Sequence, residues 1–135
     1  MKKLASLFLI FATVLMLSAC SASKPEDVAK EFVEASYKED ADKMLSLIHF
    51  PEEEKAKPGV EEMVSGKIKG AAGKAKERAE RKGGVKEVTV LESKMDEANG
   101  LGMVKIQTTF KNDGSESEKD NVKLIKSDDK WQVRL

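Results

Sequence analysis

The chain is poor in the residues that most often carry chemistry. Its 135 residues include one cysteine, one histidine, one tryptophan and one tyrosine. A single cysteine excludes an internal disulfide. One histidine and one cysteine also leave too few nitrogen and sulfur donors for a structural zinc site. Glu52, Glu53 and Glu54 are adjacent but lack calcium-loop spacing. Gly66, Gly70 and Gly73 follow no strand and match no phosphate-loop fingerprint, so no cofactor is expected. Neither charge dominates: 24 basic side chains balance 24 acidic ones, which argues against nucleic acid as a partner. No apolar run reaches the roughly 20 residues that span a bilayer.

The longest apolar run is Leu4–Leu17, "LASLFLIFATVLML", behind the charged start Met1-Lys2-Lys3. A basic start, a short apolar stretch and small residues at its end describe a secretory signal peptide. It closes on "LSAC", Leu17 to Cys20, which resembles the lipobox of bacterial lipoproteins. The resemblance implies a thioether from Cys20 to diacylglycerol, cleavage before Cys20 and acylation of the new amino group. It also gives the lone thiol of an exported chain a reason to exist. Two or three acyl chains make such an anchor effectively permanent. Ser21 in place of aspartate implies, by likeness to Gram-negative lipoproteins, the outer membrane facing the periplasm. The expected organisation is a signal peptide over 1–19, a lipidated cysteine and tether over 20–25, and one domain over 26–135. Without Lys2 and Lys3, 22 basic side chains face 24 acidic ones, a net charge near −2. The tether "SASKP" reaches at most about 17 Å.

The domain reads as helices first and strands later. Pro25, with Glu26 and Asp27 behind it, opens a helix to about Lys38. Val28, Phe32 and Val33 repeat at helical spacing along it. Asp40 caps a short second helix with Met44, Leu45, Leu47 and Ile48. "FPEEEKAKPG" reads as a loop. Val60 to about Lys82 reads as a third helix, in which Gly66, Gly70 and Gly73 lie near one side, so that either close packing there offsets their cost or the helix is mobile or broken. After Gly83-Gly84 the period becomes two. Strands are expected at Val85–Ser93, Leu101–Lys111, Asn121–Lys126 and Lys130–Leu135, separated by turn-rich segments. The fold class is therefore α+β, three N-terminal helices packed on a curved four-stranded antiparallel meander.

"KPEDVAKEFVEASYKEDADKMLSLI" and "VKLIKSDDKWQVRL" resemble the opening and ending of small bacterial lipoproteins with the nuclear-transport-factor-2-like (cystatin-like) fold. The group they resemble is a domain-of-unknown-function family once labelled lumazine-binding. The resemblance implies a cone, a sheet curved around the first helix with room for a cavity. The superfamily includes isomerases, dehydratases and cyclases beside members that only bind or assemble, so the fold does not decide the function.

An enzyme of that kind needs a positioned acid or base facing inward. The inward strand positions read as Val88, Val90, Val104, Ile106, Thr108, Phe110, Val122, Leu124, Trp131 and Val133, with no carboxylate among them. His49, at a helix end before "FP", reads as a surface or capping residue, and Tyr37 as a core-edge residue. One feature points outward. Lys67, Lys69, Lys74, Lys76, Arg78, Arg81 and Lys82 face only Glu77 and Glu80, net +5 over one helix half. Beside a short tether such a stretch suits contact with an anionic surface. The expected function is non-enzymatic: a membrane-anchored domain that binds a small hydrophobic ligand or an envelope protein. The alternatives are a cyclase- or isomerase-type enzyme and a purely structural module.

Overall fold

The computed structural model describes residues 24–135. The expected signal peptide and lipobox, with Cys20, lie outside the described residues. Four helices precede four strands: α1 (Pro25–Tyr37), α2 (Ala41–Leu47), α3 (Glu52–Lys55), α4 (Val60–Arg81), then β1 (Val85–Asp96), β2 (Leu101–Phe110), β3 (Glu118–Ser127) and β4 (Lys130–Val133). The strands form one antiparallel sheet in sequence order. The α+β meander is as the sequence predicts, with one helix more. The expected loop after Phe50 carries α3, a single turn capped by Pro51, with three glutamates at its positive end. None of the helices among the described residues is long and apolar enough to cross a membrane.

Local chemistry sets each boundary. Pro25 at the first position of α1 loses nothing by lacking an N–H there. The Asp40 carboxylate accepts from the Lys43 backbone N–H and starts α2. Gly83 (φ +84) and Gly84 (φ +95) turn the chain from α4 into β1. At the β3–β4 hairpin, Asp128 and Asp129 both take left-handed φ between paired Ser127 and Lys130. Two successive positive φ values are what a two-residue hairpin of this twist requires.

The core lies between the helices and one face of the sheet. Val104, Ile106 and Leu124 are fully buried, with Val122, Trp131 and Val133 beside them. α1 lays Val28, Ala29 and Val33 across this face, and α4 adds Ile68, Ala72, Ala75 and Ala79. Val88 and Val90, expected inside, are only half-buried, because β1 is an edge strand broken by two bulges. The opposite edge is covered. Ile48 bridges Val133 in parallel, and the His49 N–H donates to the Val133 carbonyl at 2.7 Å.

The glycines of α4 correct the sequence reading. A Cβ on Gly66 or Gly70 would meet nothing within 4 Å, and one on Gly73 would meet only the Glu39 carboxylate at 3.5 Å. These three face away from the buried stripe, so no packing offsets their cost. Gly66→Ala and Gly70→Ala should each raise stability by about 0.5–1 kcal/mol, seen as higher urea midpoints. Trp131→Ala, which empties a filled core, should cost about 3–5 kcal/mol in the same assay.

Candidate functional site

The three ends that meet at Gly83 bring together a set of polar groups that lie far apart in sequence. Helix α1 ends on Tyr37, the last turn of α4 carries Arg78 and Lys82 follows its end, and β3 begins with Glu118. The Tyr37 hydroxyl donates to Glu118 Oε1 at 3.3 Å, Arg78 Nε donates to the same oxygen at 3.3 Å, and Lys82 Nζ donates to Oε2 at 3.2 Å. Lys82 also donates to the Glu116 carbonyl at 3.1 Å and stands 4.7 Å above the Phe110 ring. That ring meets Tyr37 edge-on at 5.8 Å. Thr108, opposite Glu118 in the ladder, is fully buried. Its hydroxyl lies beside the Tyr37 phenol but makes no well-formed hydrogen bond.

Glu118 overturns the expectation that no carboxylate faces inward. β3 begins three residues before the predicted Asn121, and counting back by twos from buried Val122 puts Asp120 and Glu118 on the core side. Desolvation of the Glu118 carboxyl pushes its pKa up. The Lys82 hydrogen bond and the Arg78 and Lys82 charges outweigh that and hold it below the usual carboxylate value. Burial pushes Tyr37 up to about 12, against the nearby Thr108 hydroxyl and with the Glu118 and Asp120 charges. Asp120 keeps solvent contact on one side. Desolvation on the other, and the Glu118 charge, raise it against the pull of Arg78.

Beside this cluster an open groove of about 530 Å³ runs between α1, α4 and the start of β1. Tyr37, Ala79, Val85 and Val88 form its apolar floor, and Lys30, Glu34, Lys38, Lys76, Glu80, Lys86 and Glu87 its rim. Tyr37 is the one residue common to the groove and the Glu118 cluster.

The seven cations of α4 do not form one surface. At 100° per residue, Lys67, Lys74 and Arg81 follow one line along the helix, while Lys69 and Lys76 lie on the opposite flank of the buried stripe. Lys76 pairs with Glu39 at 3.4 Å, and Arg78 and Lys82 are held by Glu118. His49 shares a 3.3 Å hydrogen bond between Nδ1 and Gln132 Oε1, away from Tyr37 and Glu118. Among the described residues no three His, Cys, Asp or Glu side chains stand close enough to hold a metal ion.

The Glu118 clamp joins α1, α4 and β3, so its protonation should loosen the domain. Its folded pKa is lowered from 4.5, so its contribution is fully present above pH 4.5 and is lost as pH falls through the lower folded value. Stability should therefore drop in acid below pH 4.5, and Glu118→Gln should flatten that part of the profile. At neutral pH, Glu118→Ala should cost about 1–3 kcal/mol, measured by denaturant midpoints across pH.

One solved structure agrees with the fold. A Campylobacter jejuni protein, provisionally named an NTF2-like transpeptidase, is 31% identical over 84% of this chain and 99% of its own, with a TM-score of 0.74. An NTF2-like protein of unknown function from Shewanella oneidensis MR-1 is 22% identical over 79% of this chain and 88% of its own, with a TM-score of 0.44. No curated protein matches the chain. The family model described as "Domain of unknown function (DUF4878)" matches residues 18–134, and the chain belongs to that family.

Proposed function

We propose that this is a lipid-anchored domain of the bacterial envelope, without enzymatic activity, that binds a small molecule or a protein partner in the groove beside Tyr37. The outer membrane, facing the periplasm, is its proposed place. The observation that carries the binding reading is where space is left. The interior of the cone is filled by Val104, Ile106, Leu124 and Trp131, whereas the groove at its rim is open over an apolar floor. Apolar groups held by burial, with a few charges to orient them, are what such a site favours. The anchor reading rests on "LSAC" and the apolar run before it.

The finding that favours a second reading, an isomerase- or cyclase-type enzyme, is the inward Glu118 beside Tyr37. Its chemistry points the other way. A carboxylate clamped by Arg78, Lys82 and Tyr37 is a weakened base, and Glu118 is not among the groove-lining residues. Peptidyl transfer, suggested by the name of the Campylobacter protein, needs a nucleophile within reach of a base. Among the described residues, the side-chain partner of the His49 ring is Gln132.

Two experiments test the proposal. Replacing Cys20 with alanine should abolish incorporation of radiolabelled palmitate and release the protein from the membrane fraction; label retained by the mutant would refute the anchor. Anilinonaphthalene sulfonate should fluoresce with the native protein. Val88→Glu, in the half-buried groove floor, should weaken that signal severalfold while circular dichroism shows the domain still folded, at an unfolding midpoint lowered by the buried charge. A native protein that leaves the dye dark has no such binding groove.

A further inference from the structure

The face of the sheet turned away from the helices has a charge pattern that the sequence order conceals. Val104, Ile106, Thr108 and Phe110 point inward on β2, as do Val122 and Leu124 on β3 and Trp131 and Val133 on β4. Alternation therefore places the intervening residues outward. The charged outward residues of β2, β3 and β4, with the residue that follows β4, are Lys105, Lys119, Lys123, Lys130 and Arg134, and none is acidic. The ladder sets them near one another. Lys105 lies opposite Asn121 and Lys119 opposite Gln107. Lys123 lies opposite Met103, and the Arg134 N–H donates to the Lys123 carbonyl. The acids on the strands of this face, Glu87, Glu92 and Asp96, all stand on the edge strand β1, where Glu92 reaches Lys94 at 3.5 Å and Lys105 at 3.9 Å, and the exposed Asp128 and Asp129 sit off the strands in the β3–β4 turn. Lys119, Lys123, Lys130 and Arg134 make no ion pair among the described residues. Two large apolar side chains, Met103 at 37% and Leu91 at 45% exposure, stand on the outer side of β2 and at the β1 bulge.

We propose that this open face of the sheet, from β2 to β4, is the surface the domain lays against an anionic lipid bilayer. The inference rests on the lipid-anchored reading above and adds an orientation to it. Charge complementarity selects the partner: each cation at an anionic surface adds to the attraction, and an exposed methionine suits the interface between headgroups and acyl chains. The tether selects the geometry. The described chain starts at Lys24, and Glu26 accepts from Ser93 Oγ at 2.7 Å, which fixes the start of α1 beside the far end of β1. Ser21–Pro25 spans at most about 17 Å, so the bilayer must lie close to that end of the sheet. Lys123, Lys130 and Arg134 lie toward the same end, whereas Arg78 and Lys82 sit at the other end of α1, bound to Glu118. In this orientation α4 and the groove beside Tyr37 face away from the membrane, open to a ligand from the aqueous side.

Lysine footprinting tests this on the protein as purified from cells. It is mixed with vesicles of phosphatidylcholine alone or with phosphatidylglycerol added, and acetylated with a water-soluble reagent before mass spectrometry. Labelling of Lys105, Lys119, Lys123 and Lys130 should fall severalfold on the anionic vesicles only, and return when salt shortens the screening length from about 10 Å to about 3 Å. Labelling of Lys67, Lys69 and Lys74 on α4 should not change. The triple variant K119E/K123E/R134E, altered only at exposed positions, should lose the protection at an unchanged unfolding midpoint. Protection of the α4 lysines in place of the sheet lysines would overturn the proposal, as would protection by soluble polyphosphate but not by vesicles. The same spectra report the lipid mass on Cys20. Its absence would break the anchor reading alone, while the lysine pattern still decides the face.

Discussion

The fit of α1 into the curve of the sheet is the contact on which the rest of the domain depends. This one helix touches all four strands as well as α2 and α4. It does so with small and branched side chains: Ala29 is fully buried and Val28 and Val33 nearly so, against Val104, Ile106 and Leu124. Small residues permit close approach, and close approach fills the cone with side chains. What α4 supplies follows from this. Because α1 occupies the sheet face, α4 packs mainly on α1 and α2, burying Ile68 and three alanines, Ala72, Ala75 and Ala79. A helix that buries mostly alanine gains little from burial per residue. It is held instead at its end, where Arg78 and Lys82 reach the Glu118 carboxylate.

That division explains why the polar cluster sits where it does. Tyr37, Arg78, Lys82 and Glu118 come from three elements that end at the same place, and the α4–β1 turn at Gly83 seals them. A Cβ on Gly83 would stand 2.3 Å from the Asn112 side chain, and the Asn112 N–H donates to the Lys82 carbonyl. The clamp is part of the architecture before it is anything else. Its donors are satisfied by one carboxylate, which makes it a poor place for proton transfer and a good place to fix the wall of a groove. Thr108 is the exception: a buried hydroxyl without a well-formed hydrogen bond, next to a tyrosine whose own bond is committed to Glu118.

Much of the fold was legible in the sequence, because period and turn chemistry are local. The change from helical spacing to alternation after Gly83-Gly84, the proline at the start of α1 and the Asp-Asp hairpin are each decided by a few neighbouring residues. The candidate site was mostly not legible. Asn121 looked like the start of β3 because "SESEKD" is as polar as a loop, yet the alternation that buries Val122 and Leu124 extends back through Asp120 to Glu118. Parity was the signal that could have found the inward carboxylate. The groove had no comparable signal, since Tyr37, Ala79 and Val88 meet only through tertiary packing. The glycines of α4 were misread for a related reason: their spacing showed that they share a side, but only the packing shows that the side is open.

Charge illustrates the same limit. A chain with equal numbers of acidic and basic residues says nothing about how they are distributed, because net charge is a sum over faces that point in different directions. Seven cations crowded into half a helix look like one basic surface on paper. Folding places them on two flanks of that helix, and three of them pair with Glu39 or Glu118. Five cations scattered over thirty residues of strand look unremarkable, yet alternation and register gather them on one face and leave the acids of its strands on the edge strand. Two physical rules do this sorting, the 100° step of the helix and the two-residue period of the strand. Since Coulomb attraction to an extended anionic surface depends on which charges face it together, the strand cations are the ones gathered to act as a group.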